Sequence, residues 1–116
     1  MDKNSTFQEV VDRANQIIKR YEKIEGKPWK AEGAVIELTK QVGELSKLIM
    51  VKEGYYFPDR SKIHPGYEVS DKKIADELVD ILRAIIRIAK YYNLDLIEAD
   101  DQAYKEDNET LKFKGV

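Results

Sequence analysis

The chain has 116 residues, a formal net charge of −2 from 20 Lys and Arg against 22 Asp and Glu, and no cysteine, so disulfides and thiolate metal sites are excluded. That length fits one small domain, 1–116, with a modest core of its own, for which a homodimer or homotetramer is the expected completion. No Lys/Arg stripe suits polymeric nucleic acid, no apolar run approaches the roughly 20 residues of a membrane span, and the opening MDKNSTFQEV lacks a signal-peptide core, so the expectation is a cytoplasmic protein with no nucleic-acid polymer or membrane partner.

Thr6-Phe7-Gln8-Glu9 has the pattern of a capping box, and Val10, Ala14, Ile17, Tyr21 and Ile24 follow at helical spacing, which predicts a first helix over 6–25. A second is expected over 30–52, with Val35, Leu38, Val42, Leu45 and Ile49 on one face. From 54 to 69 the periodicity disappears into GYYFPDRSKIHPGYEV, whose prolines, glycines and aromatics predict a long connection without helix or strand. Ser70 is placed to cap a third helix over 70–92, apolar over a wide arc through Ile74, Leu78, Ile81, Leu82, Ile85 and Ile88. Asn93 tolerates the left-handed conformation that stops a helix, and Asp95 with Glu98 restarts one over 95–111. No strand-like alternation occurs anywhere. The class is all-α, a small bundle of about four helices.

Acids flank the apolar faces of two of these helices. Glu37, Gln41 and Glu44 fall at i, i+4 and i+7 on the second helix, and Glu77 and Asp80 lie one turn apart on the third. Packing the two helices through those faces would bring the acids together, and carboxylates at short range repel unless a cation neutralises them. Oxygen donors without Cys or a nearby His favour Mg²⁺, with Mn²⁺ as a substitute, over zinc. His64 has no second His or Cys beside it and is expected to take no part. A solvated charged face is the plain alternative for either acid pair. A ferritin-like di-iron bundle would need Glu-x-x-His pairs, which the sequence lacks.

The segments LTKQVGELSKL (38–48) and ADELVDILRAIIRIAKYYNLDL (75–96) resemble the two halves of the MazG-like nucleotide pyrophosphohydrolases, an all-α group that cleaves nucleoside triphosphates to monophosphate and pyrophosphate with Mg²⁺. The resemblance covers about half the chain, most specifically Val42-Gly43-Glu44-Leu45 and Glu77-x-x-Asp80-Ile81-Leu82. It implies that Glu44, Glu77 and Asp80 ligate metal. Where the family has a Glu-Glu pair this chain has Lys40 and Gln41, and its connection between the two blocks is longer. Gln41 would then ligate through its amide oxygen, with Glu37 supplying the missing negative charge and, beside Glu44, acting as a candidate catalytic carboxylate. Lys105 and Asn108 match the family's Lys-x-x-Asn and would meet phosphate, as would Lys47 beside Glu44, while Trp29 would stack on a base. The function the resemblance implies is a Mg²⁺-dependent (d)NTP pyrophosphohydrolase, with house-cleaning of nucleotide pools as a role it would suit. The alternative is a nucleotide-binding or structural homologue whose catalysis is weakened or lost because Gln41 replaces a ligand Glu.

Overall fold

The computed structural model describes residues 4–116, and among them every regular element is helical. Helix α1 spans Phe7–Glu22 and starts where the capping box is expected: Thr6 Oγ1 accepts from the Glu9 amide at 3.2 Å, and Glu9 Oε1 accepts from the Thr6 amide at 3.3 Å. It stops short of the predicted 25 because the Ile24 and Glu25 amides both turn back to the Tyr21 carbonyl, at 3.0 and 3.1 Å. Helix α2 spans Lys30–Lys52. The connection predicted to be irregular contains a short helix, α3 (Arg60–Ile63), and a 3₁₀ turn at Pro65–Tyr67. These short elements have no apolar period for a sequence pattern to reveal, and aromatic contacts hold them in place. Helix α4 spans Asp71–Tyr91, with Ser70 Oγ accepting from the Lys73 amide at 3.1 Å.

Asn93 ends α4 with a φ of 55°. The Leu94 amide reaches the Ala89 carbonyl at 2.9 Å and the Asn93 amide reaches Lys90 at 3.1 Å, the paired bonds of a left-handed helix stop. Asp95 then starts α5 (Leu96–Phe113) by accepting from the Ile97 and Glu98 amides at 2.9 and 3.1 Å.

The chain divides into two compact units, 1–26 with 86–116, and 27–85. In the first, Ala14 and Ile18 of α1 and Ile86 and Ala89 of α4 are buried. Arg87 forks onto both oxygens of Glu25, with Nη1 2.7 Å from Oε2, and Lys90 reaches Glu22 at 2.8 Å. In the second unit Ala34 and Leu48 of α2 and Ala84 of α4 are buried. Lys52, the last residue of α2, pairs with Asp71, the first of α4, at 3.0 Å. Glu44 also acts on Glu77 farther along both helices, so the two run antiparallel.

The apolar arcs of these helices are wider than their cover. Leu78 is 52% exposed and Val35 48%, and Val42, Ile49, Val79 and Ile85 are exposed as well, all but Val79 being members of the apolar faces predicted from the sequence. A helix packed on one side covers only a stripe of a broad apolar face.

The Arg87–Glu25 fork is largely withdrawn from water, at 14% and 11% exposure. Arg87→Ala strands the Glu25 carboxylate and should cost about 3–5 kcal/mol in chemical denaturation, whereas Glu25→Leu combined with Arg87→Met should recover most of that loss. A loss below about 1 kcal/mol for Arg87→Ala would mean that the fork contributes no more than a surface pair.

Candidate functional site

The antiparallel pairing of α2 with the first turns of α4 sets Glu77 against the acid-bearing flank of α2. Glu77 Oε2 is buried and, among the described residues, accepts no hydrogen bond. Burial pushes the Glu77 carboxyl above the ordinary carboxylate value, and the charges of Asp80 and Glu44 push it further, with Lys40 and Lys47 opposing. Two acids predicted from separate sequence blocks, Asp80 and Glu44, thus act on Glu77 electrostatically.

Each neighbour on α2 also has a protein partner. Lys47 Nζ sits 3.0 Å from Glu44 Oε2. The Gln41 amide nitrogen donates to Glu37 Oε1 at 2.8 Å, and Lys40 approaches the same oxygen at 3.7 Å. Donation through nitrogen fixes the amide so that Gln41 keeps its oxygen for another contact. Among the described residues no three Asp, Glu or His side chains are disposed to enclose one ion. The donor chemistry nonetheless fits a hard dication: all the candidate atoms are oxygens, and a carboxylate oxygen held from water without a donor is what such a charge relieves.

Trp29 immediately precedes α2, in the same unit, and its side chain lies over Gly33. A Cβ added there would come within 2.6 Å of Trp29 Cβ. Gly33 is one turn before Glu37, so the indole begins the stripe that continues through Gln41 and Glu44. Lys105 and Asn108 belong to α5 in the other unit, where Lys105 pairs with Asp101 at 2.9 Å and Asn108 is half-buried.

Sequence reasoning passed over Arg60. Its guanidinium carbon lies 3.9 Å from the centroid of the Tyr67 ring, 4.4 Å from Tyr56 and 5.6 Å from Phe57. Arg60 Nη2 also donates to the Tyr67 hydroxyl at 3.0 Å. Lys47 Nζ stands 5.4 Å from that Tyr67 ring, which ties the loop to the Glu44 end of the stripe. The His64 ring makes a tilted contact with Tyr67, at 6.1 Å, while its backbone amide donates to the Arg60 carbonyl at 2.8 Å and its carbonyl accepts from the Tyr67 amide at 3.0 Å. Four aromatics around one Arg in a stretch without period was the available signal.

No family model, no curated protein and no solved structure matches the chain.

Two outcomes follow from this geometry. Glu77→Gln should raise the melting temperature of the metal-free protein at neutral pH. A carboxyl whose folded pKa is raised is most favourable to folding while protonated, and loses that stability as pH rises from its ordinary 4.5 through the folded value. The gain should therefore vanish in melting curves recorded below 4.5, and an equal gain at every pH would point to packing instead. Trp29 is the sole tryptophan, so Gly33→Ala should shift its fluorescence emission by displacing the indole; an unchanged spectrum would mean that the ring does not rest on Gly33.

Proposed function

We propose that the chain is a divalent-metal-dependent nucleoside triphosphate pyrophosphohydrolase of MazG-like type, acting on (d)NTP to give the monophosphate and pyrophosphate. The observation that carries this reading is the buried, donorless Glu77 Oε2 under the added charge of Asp80 and Glu44. Glu44, Glu77, Asp80 and the Gln41 oxygen would hold Mg²⁺ or Mn²⁺. The bound ion would screen the triphosphate charge and acidify a water. Glu37, held by Gln41 and Lys40, is the carboxylate left to accept the water's proton. Lys47 would exchange Glu44 for a phosphate oxygen, and Trp29 would stack on the base. On this reading a second copy covers the apolar residues that α2 and α4 leave exposed, giving a homodimer or larger assembly.

A non-catalytic nucleotide-binding role is the second reading. It is favoured by the absence, among the described residues, of three acids poised around one point, and by the neutral Gln41 in place of a charged ligand.

Pyrophosphate release from a panel of canonical and modified nucleoside triphosphates with Mg²⁺ or Mn²⁺, with binding measured in parallel, separates the two readings. Calorimetric titration with Mn²⁺ should show binding that Glu77→Ala and Asp80→Ala abolish without loss of helical content. Unchanged binding in both variants would make these acids ordinary surface charges. Gln41→Glu should tighten the ion by roughly tenfold through the added charge, and Glu37→Ala should then cost less than it does beside the native Gln41. Sedimentation at low micromolar concentration should return a dimer or tetramer, and Leu78→Glu should shift it toward monomer; a folded wild-type monomer would refute the assembly.

A further inference from the structure

The loop between α2 and α4 contains a cation, Arg60, that no anion among the described residues pairs with. Arg60 is half-buried among Tyr56, Phe57 and Tyr67, and its Nε is a buried donor with no acceptor among the described residues. Two carboxylates that flank it in sequence are engaged elsewhere: Asp59 by Lys62 at 3.3 Å, and Glu68 by Lys73 at 3.6 Å. Among the described residues no Asp or Glu forms an ion pair with Arg60; aromatic faces and one phenol oxygen are its partners. Cation–π contacts orient a guanidinium and preserve its fork of donors, but they do not neutralise it. A buried N–H without an acceptor is costly unless something else supplies one.

The second observation is where this fork sits. Tyr67 has Arg60 against its ring and Lys47 5.4 Å from the same ring, and a Cβ at Gly66 would lie only 3.5 Å from Lys47 Nζ. Lys47 in turn touches Glu44. One aromatic ring therefore spaces two cations, and one of them borders the acids. A single small anion would satisfy either cation, whereas a chain of linked phosphates has charge distributed over a length that reaches both.

We propose that Arg60, oriented by Tyr56 and Tyr67, forms with Lys47 a binding site for the polyphosphate tail of the ligand, with Arg60 on the phosphate farther from the acids. The assignment rests on the nucleotide-binding reading above for its ligand, and it makes the long loop the specificity element for chain length. Triphosphates reach Arg60, and monophosphates, held at the acids, do not. Tyr67 is a positioning residue that sets the separation of the two cations.

The test uses the full chain and inorganic tripolyphosphate, titrated calorimetrically without divalent ion so that the acids add no metal-mediated affinity. Wild type should bind, and Arg60→Ala and Lys47→Met should each weaken binding by roughly tenfold, the effect of one charge-assisted contact. Arg60→Lys keeps a point charge without the fork and should fall between, which preserves the test should Arg60→Ala fold poorly by circular dichroism. Tyr67→Phe keeps the ring and should bind within about threefold of wild type. Inorganic phosphate should bind far more weakly than tripolyphosphate and respond little to Arg60→Lys. Failure of wild type to bind tripolyphosphate, or equal binding by folded Arg60 variants, overturns the proposal. Nucleotide turnover is scored separately with Mg²⁺. Tripolyphosphate binding that needs Arg60, without any pyrophosphate release, keeps this site and removes the hydrolase; pyrophosphate release with a KM indifferent to Arg60→Ala does the reverse.

Discussion

Alanine is the commonest residue in this protein's interior: Ala14, Ala34, Ala84 and Ala89 are buried, with only Ile18, Leu48 and Ile86 beside them among the described residues. Alanine lets helix backbones approach closely, but it removes little apolar area from water, so neither compact unit gains much from its own core. Polar interactions must then fix the geometry that burial leaves loose. In one unit the Arg87–Glu25 fork and the Lys90–Glu22 pair hold the end of α1 to the end of α4. In the other, Lys52–Asp71 holds α2 to the start of α4, and the Arg60 aromatic cluster closes the loop between them.

The thin core also explains the surface. Leu78, Val79, Val35 and Val42 are apolar residues on helices that have exhausted their partners within the unit. Exposed apolar area on this scale is unfavourable in an isolated chain, which is why a second copy is part of the proposed function.

The acid cluster stands apart from this economy of contacts. Glu77 has a raised pKa because burial and two like charges penalise its ionised form, and the two lysines near it do not offset that. A core selected for stability alone would place an apolar residue there. The strain is concentrated where α2 and α4 run antiparallel, beside a loop whose Arg60 has the opposite deficiency, a buried Nε–H with no acceptor among the described residues. The metal-bound polyphosphate of the proposed function would have the charge distribution to answer both.

The sequence by itself determined the four long helices and placed their ends to within a few residues, because capping is local. Thr6 with Glu9, Ser70 with Lys73, Asn93 in the left-handed conformation and Asp95 before Ile97 each act within a few residues, and all are legible as written. It also fixed which acids share a helical stripe, since Glu37, Gln41 and Glu44 need only the helical period. What it did not fix was which apolar residues would be covered, so that Leu78 lies exposed while Ala84 and Ala89 are buried. Nor did it reveal the order within residues 54–69, where Arg60 meets Tyr67 through a loop without period. The burden on Glu77 was legible only in part: its largest cause is burial, which packing decides, whereas Asp80 one turn away and Glu44 on the facing helix were already placed near it by their stripes. Periodicity reports faces and caps; only tertiary packing decides which faces meet, which side chains lose water, and which charges are left facing one another.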